Sequence, residues 1–166
     1  MKEKLQEYAL IAEIIGGIGI IASLIFVGVQ VNQGAQETAQ NTRQMQADAY
    51  QQLTTEITAL NRINIEHPRI ILLAVKTRDL NDLSPEDMAS VSNFIIMIFR
   101  LSDLAYLQYE QEIIPEERFT SALAPLIDTV CFPAYQQVWS GISRHFVSEF
   151  RNYVDGLIVK CEPPEV

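Results

Sequence analysis

Residues Ala9 to Val31 read ALIAEIIGGIGIIASLIFVGVQV. This run decides the architecture. As a helix its 23 residues extend about 34 Å, enough to cross about 30 Å of hydrocarbon. The uncharged part, Ile14 to Val29, is shorter, so Glu13 is expected at the headgroup boundary, where its carboxylate reaches water. A cleaved signal sequence is the rival reading. It fails because Gln33 stands where a cleavage site ending at Ala35 wants a small side chain, and no lipobox cysteine follows the run. The segment therefore reads as an uncleaved single span. Within it, Ala12 with Gly16 and Gly19 with Ser23 form small-xxx-small pairs that permit close approach of a second helix.

Working outward, Lys2 and Lys4 precede the span, whereas only Arg43 follows it within about 15 residues. Counting Lys and Arg puts the N-terminus inside and the rest outside. The net charge is −9, and no basic stripe occurs after the span, which argues against nucleic acid as a partner.

Gln33 to Gln52 holds seven glutamines among alanines and has almost no apolar face. It predicts a solvated helical stalk continuing the span. Tyr50, Leu53, Ile57 and Leu60 then form a stripe that docks on a domain. His67-Pro68 ends this helix, and a short one follows over Arg69 to Thr77. Ser84-Pro85-Glu86-Asp87 is a helix start: a Ser cap, a first-position Pro and acids facing the dipole. The helix it opens runs to about Gln111. Phe94 to Leu107 is apolar nearly all round, so this is the central helix. Pro115-Glu116-Glu117 opens another, which Pro125 kinks or ends. Phe132-Pro133 begins a shorter one, and Ser148-Glu149 caps the last, with Phe150, Tyr153, Val154, Leu157 and Ile158 as its stripe. No run alternates with period two, so the class is all-α.

The expected organisation is a tail over 1–8, a transmembrane helix over 9–31, a stalk over 32–52, a helical bundle over 53–160 and a tail over 161–166. Cys131 lies in an apolar stretch, TVCFPAY, and is expected as a buried small hydrophobe. Its pairing with Cys161 requires an oxidising compartment and is left open.

Catalytic signatures are sparse. His67 and His145 are the only histidines, and neither has metal-ligand spacing, so no metal and no cofactor are expected. Gly16-Gly17-x-Gly19 lies in the apolar run with no strand before it and is not a phosphate loop. Glu110, Glu112, Glu116 and Glu117 flank a helix start, where acids serve the dipole. One constellation remains. On the otherwise apolar central helix Asn93, Arg100 and Asp103 are polar; Arg100 and Asp103, three apart, can pair, and Tyr106 can join them. A buried pair of this kind specifies packing register. The alternative is the polar floor of a ligand pocket.

The segments IAEIIGGIGIIASLIFVGVQV, NQGAQETAQNTRQMQADAYQQL, IFRLSDLAYLQYEQEIIPEERF and CFPAYQQVWSGISRHFVSEFRNYVDGLI together resemble a broad group of uncharacterised bacterial single-span helical proteins. That resemblance implies a bacterial inner-membrane location and carries over no catalytic residue. Such relatives often have arginines just after the span, which implies a cytoplasmic domain. Here only Arg43 stands there, so the resemblance and the charge count disagree and the side stays open. The resulting expectation is a membrane-anchored interaction or scaffold protein without catalytic activity, an accessory to another protein or a homo-oligomer. The alternative is a bundle that binds a small apolar or anionic ligand near Arg100.

Overall fold

The computed structural model describes residues 2–161. Among them the chain is all-helical, with six α-helices and no strand. These are α1 (Lys2–Glu66), α2 (Pro68–Lys76), α3 (Pro85–Glu110), α4 (Glu116–Ile127), α5 (Pro133–Ile142) and α6 (Ser148–Val159). Two 3-10 turns, Leu80–Asp82 and Ser143–His145, lie outside the sequence expectation. The chain divides into two compact units, the first ending at Gln44 and the second beginning at Met45.

The first unit is purely helical. Every described side chain from Tyr8 to Gln44 is exposed, the apolar ones included. A Cβ added at Gly16, Gly17, Gly19 or Gly28 would meet nothing within 4 Å. Gly34 does not break the helix; its carbonyl accepts the Thr38 hydroxyl at 2.8 Å, and the Thr38 carbonyl accepts that of Thr42 at 3.0 Å.

The second unit is a helical bundle with one core. Of the expected docking stripe, Leu53 and Leu60 are buried and Ile57 is half-buried, while Ala49 is already buried upstream. Tyr50 stays exposed beneath the Arg118 guanidinium, 3.8 Å from its ring centroid. α1 ends at Glu66, before His67-Pro68, as the proline dictates.

α3 packs against α2, α4 and α5 and is the centre of the bundle. Its start is capped as the sequence requires, with the Ser84 hydroxyl accepting from the Asp87 N–H at 3.2 Å. Val91, Ile95, Phe99 and Ala105 are fully buried. Its apolar surround is not covered on every side, however: Met97, Arg100 and Leu107 face solvent. Among the described residues two helices are long and apolar enough to cross a membrane, Ala12–Glu66 and α3; α3 is the one partly enclosed by the bundle.

After α3 the chain reverses at Glu112, whose φ of 57° lies in the left-handed region. The Ile113 N–H then returns 2.9 Å to the Gln108 carbonyl. α4 continues two residues past Pro125 before ending.

Two sequence expectations need correction here. Cys131 is exposed and bonded to Cys161, with S–S 2.04 Å. The apolar character of TVCFPAY belongs to Val130, Ala134 and Tyr135, which turn inward, while the corner before α5 points Cys131 outward. Ser148 is not the cap of α6. Val147, in extended backbone, occupies that position, and the Ser148 hydroxyl donates instead to the Glu149 carboxylate at 2.9 Å.

α6 docks through Phe150 and Val154, both fully buried. Phe150 lies among Phe146, Tyr106 and Trp139, at ring-centroid distances of 5.5, 5.7 and 6.0 Å. Trp139 stacks on Phe99 at 4.7 Å, and its indole N–H donates to Asp155 at 2.8 Å. This satisfies the one polar group that a buried indole carries.

Candidate functional site

The open flank of α3 faces the start of α6. Arg100, Asp103, Leu104, Tyr106, Leu107 and Glu110 repeat at three- and four-residue steps, which places them on adjoining rows of one helix surface. Val147 and Glu149 form the facing wall. Between them is a groove of about 450 Å³, within the usual range for small-ligand sites. Leu104, Leu107 and Val147 make it apolar, and the charged groups stand around them.

Arg100 is already engaged on two sides. Its Nη1 is 3.8 Å from the Asp103 carboxylate, and its guanidinium lies 4.2 Å from the Phe146 ring centroid. The side chains of Arg100 and Asp103 are 52% and 28% exposed. The pair is therefore not the buried register device that a fully enclosed α3 would require. At that separation and exposure it adds little stability. Partial burial raises the Asp103 pKa above the ordinary aspartate value, and the Arg100 charge opposes that rise.

Tyr106 belongs to the aromatic cluster, 5.3 Å from Tyr153 and 6.1 Å from Phe119. Burial, then the negative charge of Glu110 and Glu149, raises its phenol pKa. Asp103, Glu110 and Glu149 outnumber the single Arg100, so the groove is acidic as a whole.

Of the four residues singled out in the sequence, Arg100, Asp103 and Tyr106 come together here. Asn93 is exposed two turns earlier on α3 and does not line the groove. Glu110, Leu107, Val147 and Glu149 were missed. The acids read as helix-terminal charges, and nothing local brings the start of α6 to α3.

A larger hollow of about 860 Å³ lies beside the α3–α4 turn. Gln46, Glu110, Glu112, Glu116 and Arg118 share its lining with Tyr50, Tyr109 and Ile113. The smaller groove, with an apolar floor and few polar groups, has the more usual form of a ligand site.

Among the described residues no group of three potential metal ligands occurs, and His67 and His145 are both exposed. Ala12, Gly16, Gly19 and Ser23 are all exposed on α1. No protein-family model, curated protein or solved structure matches the chain.

Proposed function

We propose that this chain is a membrane-anchored helical interaction protein without catalytic activity, held by one span within Ala9–Val31. It acts as an accessory to another protein or as a homo-oligomer. The supporting observation is the exposure of an unbroken apolar helix: Ile15, Ile18, Ile21, Leu24, Ile25 and Phe26 all lie open in the first unit. Leaving one such side chain in water rather than in an apolar phase costs about 1.5–3 kcal/mol. A bilayer removes that cost along the whole run, and the helix satisfies its own backbone groups there. The resemblance to bacterial single-span proteins favours the inner membrane of a bacterium. Gly16 and Gly19, with no neighbour of their own, leave room for a second helix.

The test is extraction of the full chain from native membranes in mild detergent, followed by pull-down, mass spectrometry and stoichiometry. A stoichiometric second protein, or a defined multimer of this chain, is expected. A lone monomer would contradict the interaction role.

The groove favours a second reading, a ligand-binding bundle. Arg100 is occupied by Asp103 and Phe146, and the remaining charges are acidic, so a ligand with an apolar body and a cationic end fits better than an anion. Thermal stabilisation by alkylammonium probes, lost in Glu149→Gln, is expected. Stabilisation by alkyl phosphates, lost in a folded Arg100→Ala variant, would restore the anionic alternative. No stabilisation by either would remove the site.

A further inference from the structure

We infer that the helical domain lies on the oxidising side of the membrane and that Lys2 and Lys4 lie on the reducing side. The inference rests on the single-span reading above and adds the side. Two independent observations meet in it.

The first is chemical. The Cys131–Cys161 bond joins the corner before α5 to the residue just past the end of α6. Cys131 is exposed and Cys161 is only half-buried, so packing does not shield the bond from soluble thiols. A bond in that setting persists in an oxidising compartment and is reduced in a cytosol rich in glutathione and thioredoxin. Its formation needs an oxidant, and a thiol–disulfide oxidoreductase of the same compartment serves. The Cys131 thiolate attacks the disulfide of that enzyme to give a mixed disulfide, and the Cys161 thiolate displaces it. The two cysteines lose two protons and two electrons, and the oxidoreductase leaves as its dithiol.

The second observation is electrostatic and belongs to the other unit. Lys2 and Lys4 flank the apolar run on one side, and Arg43 alone follows it closely on the other. Basic flanks are retained on the cytoplasmic side, so the count sends the domain across. The bridge and the flanking charges involve different residues, and both give the same orientation. The resemblance to proteins with arginines after the span pointed the other way, but the residues that carry that signal are missing here.

The consequence reaches the candidate site. The groove wall formed by Val147 and Glu149 belongs to the start of α6, and the bridge holds the residue beyond its far end. The groove and its binding partner then share the oxidising side. Cytosolic partners are excluded for this domain.

The test uses the full chain in spheroplasts and a membrane-impermeant maleimide–polyethylene glycol. Carbonate washing is run first. Release of the chain into the wash would overturn the span and this inference with it. With the chain retained, Cys161→Ser is expected to show a gel shift at Cys131 before lysis. Gln6→Cys, which leaves Lys2 and Lys4 in place, in a background carrying Cys131→Ser and Cys161→Ser, is expected to shift only after lysis. The reverse pattern would overturn the side while leaving the span intact. The wild-type chain, denatured without reductant, is expected to show no shift, and a double adduct after reduction. A double adduct without reductant would overturn the chemical argument. The labelled side reports topology even where a cysteine variant loses its fold.

Discussion

Truncating Phe150 to alanine tests how α6 is held to the bundle. The side chain is fully buried, with the rings of Phe146, Tyr106 and Trp139 within about 6 Å. Removing a buried phenyl ring costs about 3–5 kcal/mol, combining lost transfer energy with the cavity left behind. Complete burial and three aromatic neighbours put this site near 4 kcal/mol. That is a large fraction of the 5–15 kcal/mol total typical of a single domain. Trp139 is the only tryptophan of the chain and is buried in the same cluster, so its emission reports the unfolding of this domain alone. Taking about 1.5 kcal/mol/M for the urea dependence, the midpoint should fall by about 2.5 M in Phe150→Ala. Phe150→Leu keeps most of the volume and should lose about 1.5 kcal/mol or less. A loss under about 1 kcal/mol in Phe150→Ala, with an unchanged urea slope, would mean that α6 is not seated as described.

The same assay serves three other perturbations. Reducing the Cys131–Cys161 bond releases a loop with a sequence separation of 30, and chain-entropy arguments give a loss of about 3.7 kcal/mol; a midpoint indifferent to reductant would show that the bond is not formed. Glu112, at φ 57°, carries a left-handed cost of about 1–2 kcal/mol, partly offset in glycine by the entropy of the unfolded chain. Glu112→Gly should therefore gain about 0.5–1 kcal/mol, whereas Glu112→Val should lose stability; equal effects would refute the strain. Burial raises the Asp103 pKa, against the pull of Arg100, so its stabilising contribution is complete below the unfolded aspartate value of about 3.9 and is lost as pH rises through the folded value. Asp103→Asn should accordingly gain on the wild type as pH rises across that window, and a difference constant with pH would exclude the effect.

The helices were legible because their signals are local. Ser84-Pro85 caps α3 from within one turn, and His67-Pro68 stops α1 by a clash between adjacent residues. The Leu53–Leu60 stripe was readable for the same reason, since a period of 3.6 is written in neighbouring positions. The groove was only half legible. Arg100, Asp103 and Tyr106 share a helix, but Val147 and Glu149 reach them through the packing of Phe146 and Phe150. A further long-range tie was invisible: Gln137 accepts from the Leu80 N–H at 2.8 Å and donates to Asp79 at 3.1 Å, fixing the loop after α2 to α5. Hydrogen bonding to Asn81, then to Gln137, holds the Asp79 carboxyl below its ordinary value.

Sequence alone determined the all-helical class, the order of the helices, their main boundaries and the apolar run at the start. Each of these depends on residues within a few positions of one another. Tertiary structure decided which side of α3 stays uncovered, that Cys131 faces outward to meet Cys161, and that α6 closes the groove. These depend on which surfaces meet across tens of residues, and an apolar pattern records only that a surface must be covered, not which segment covers it.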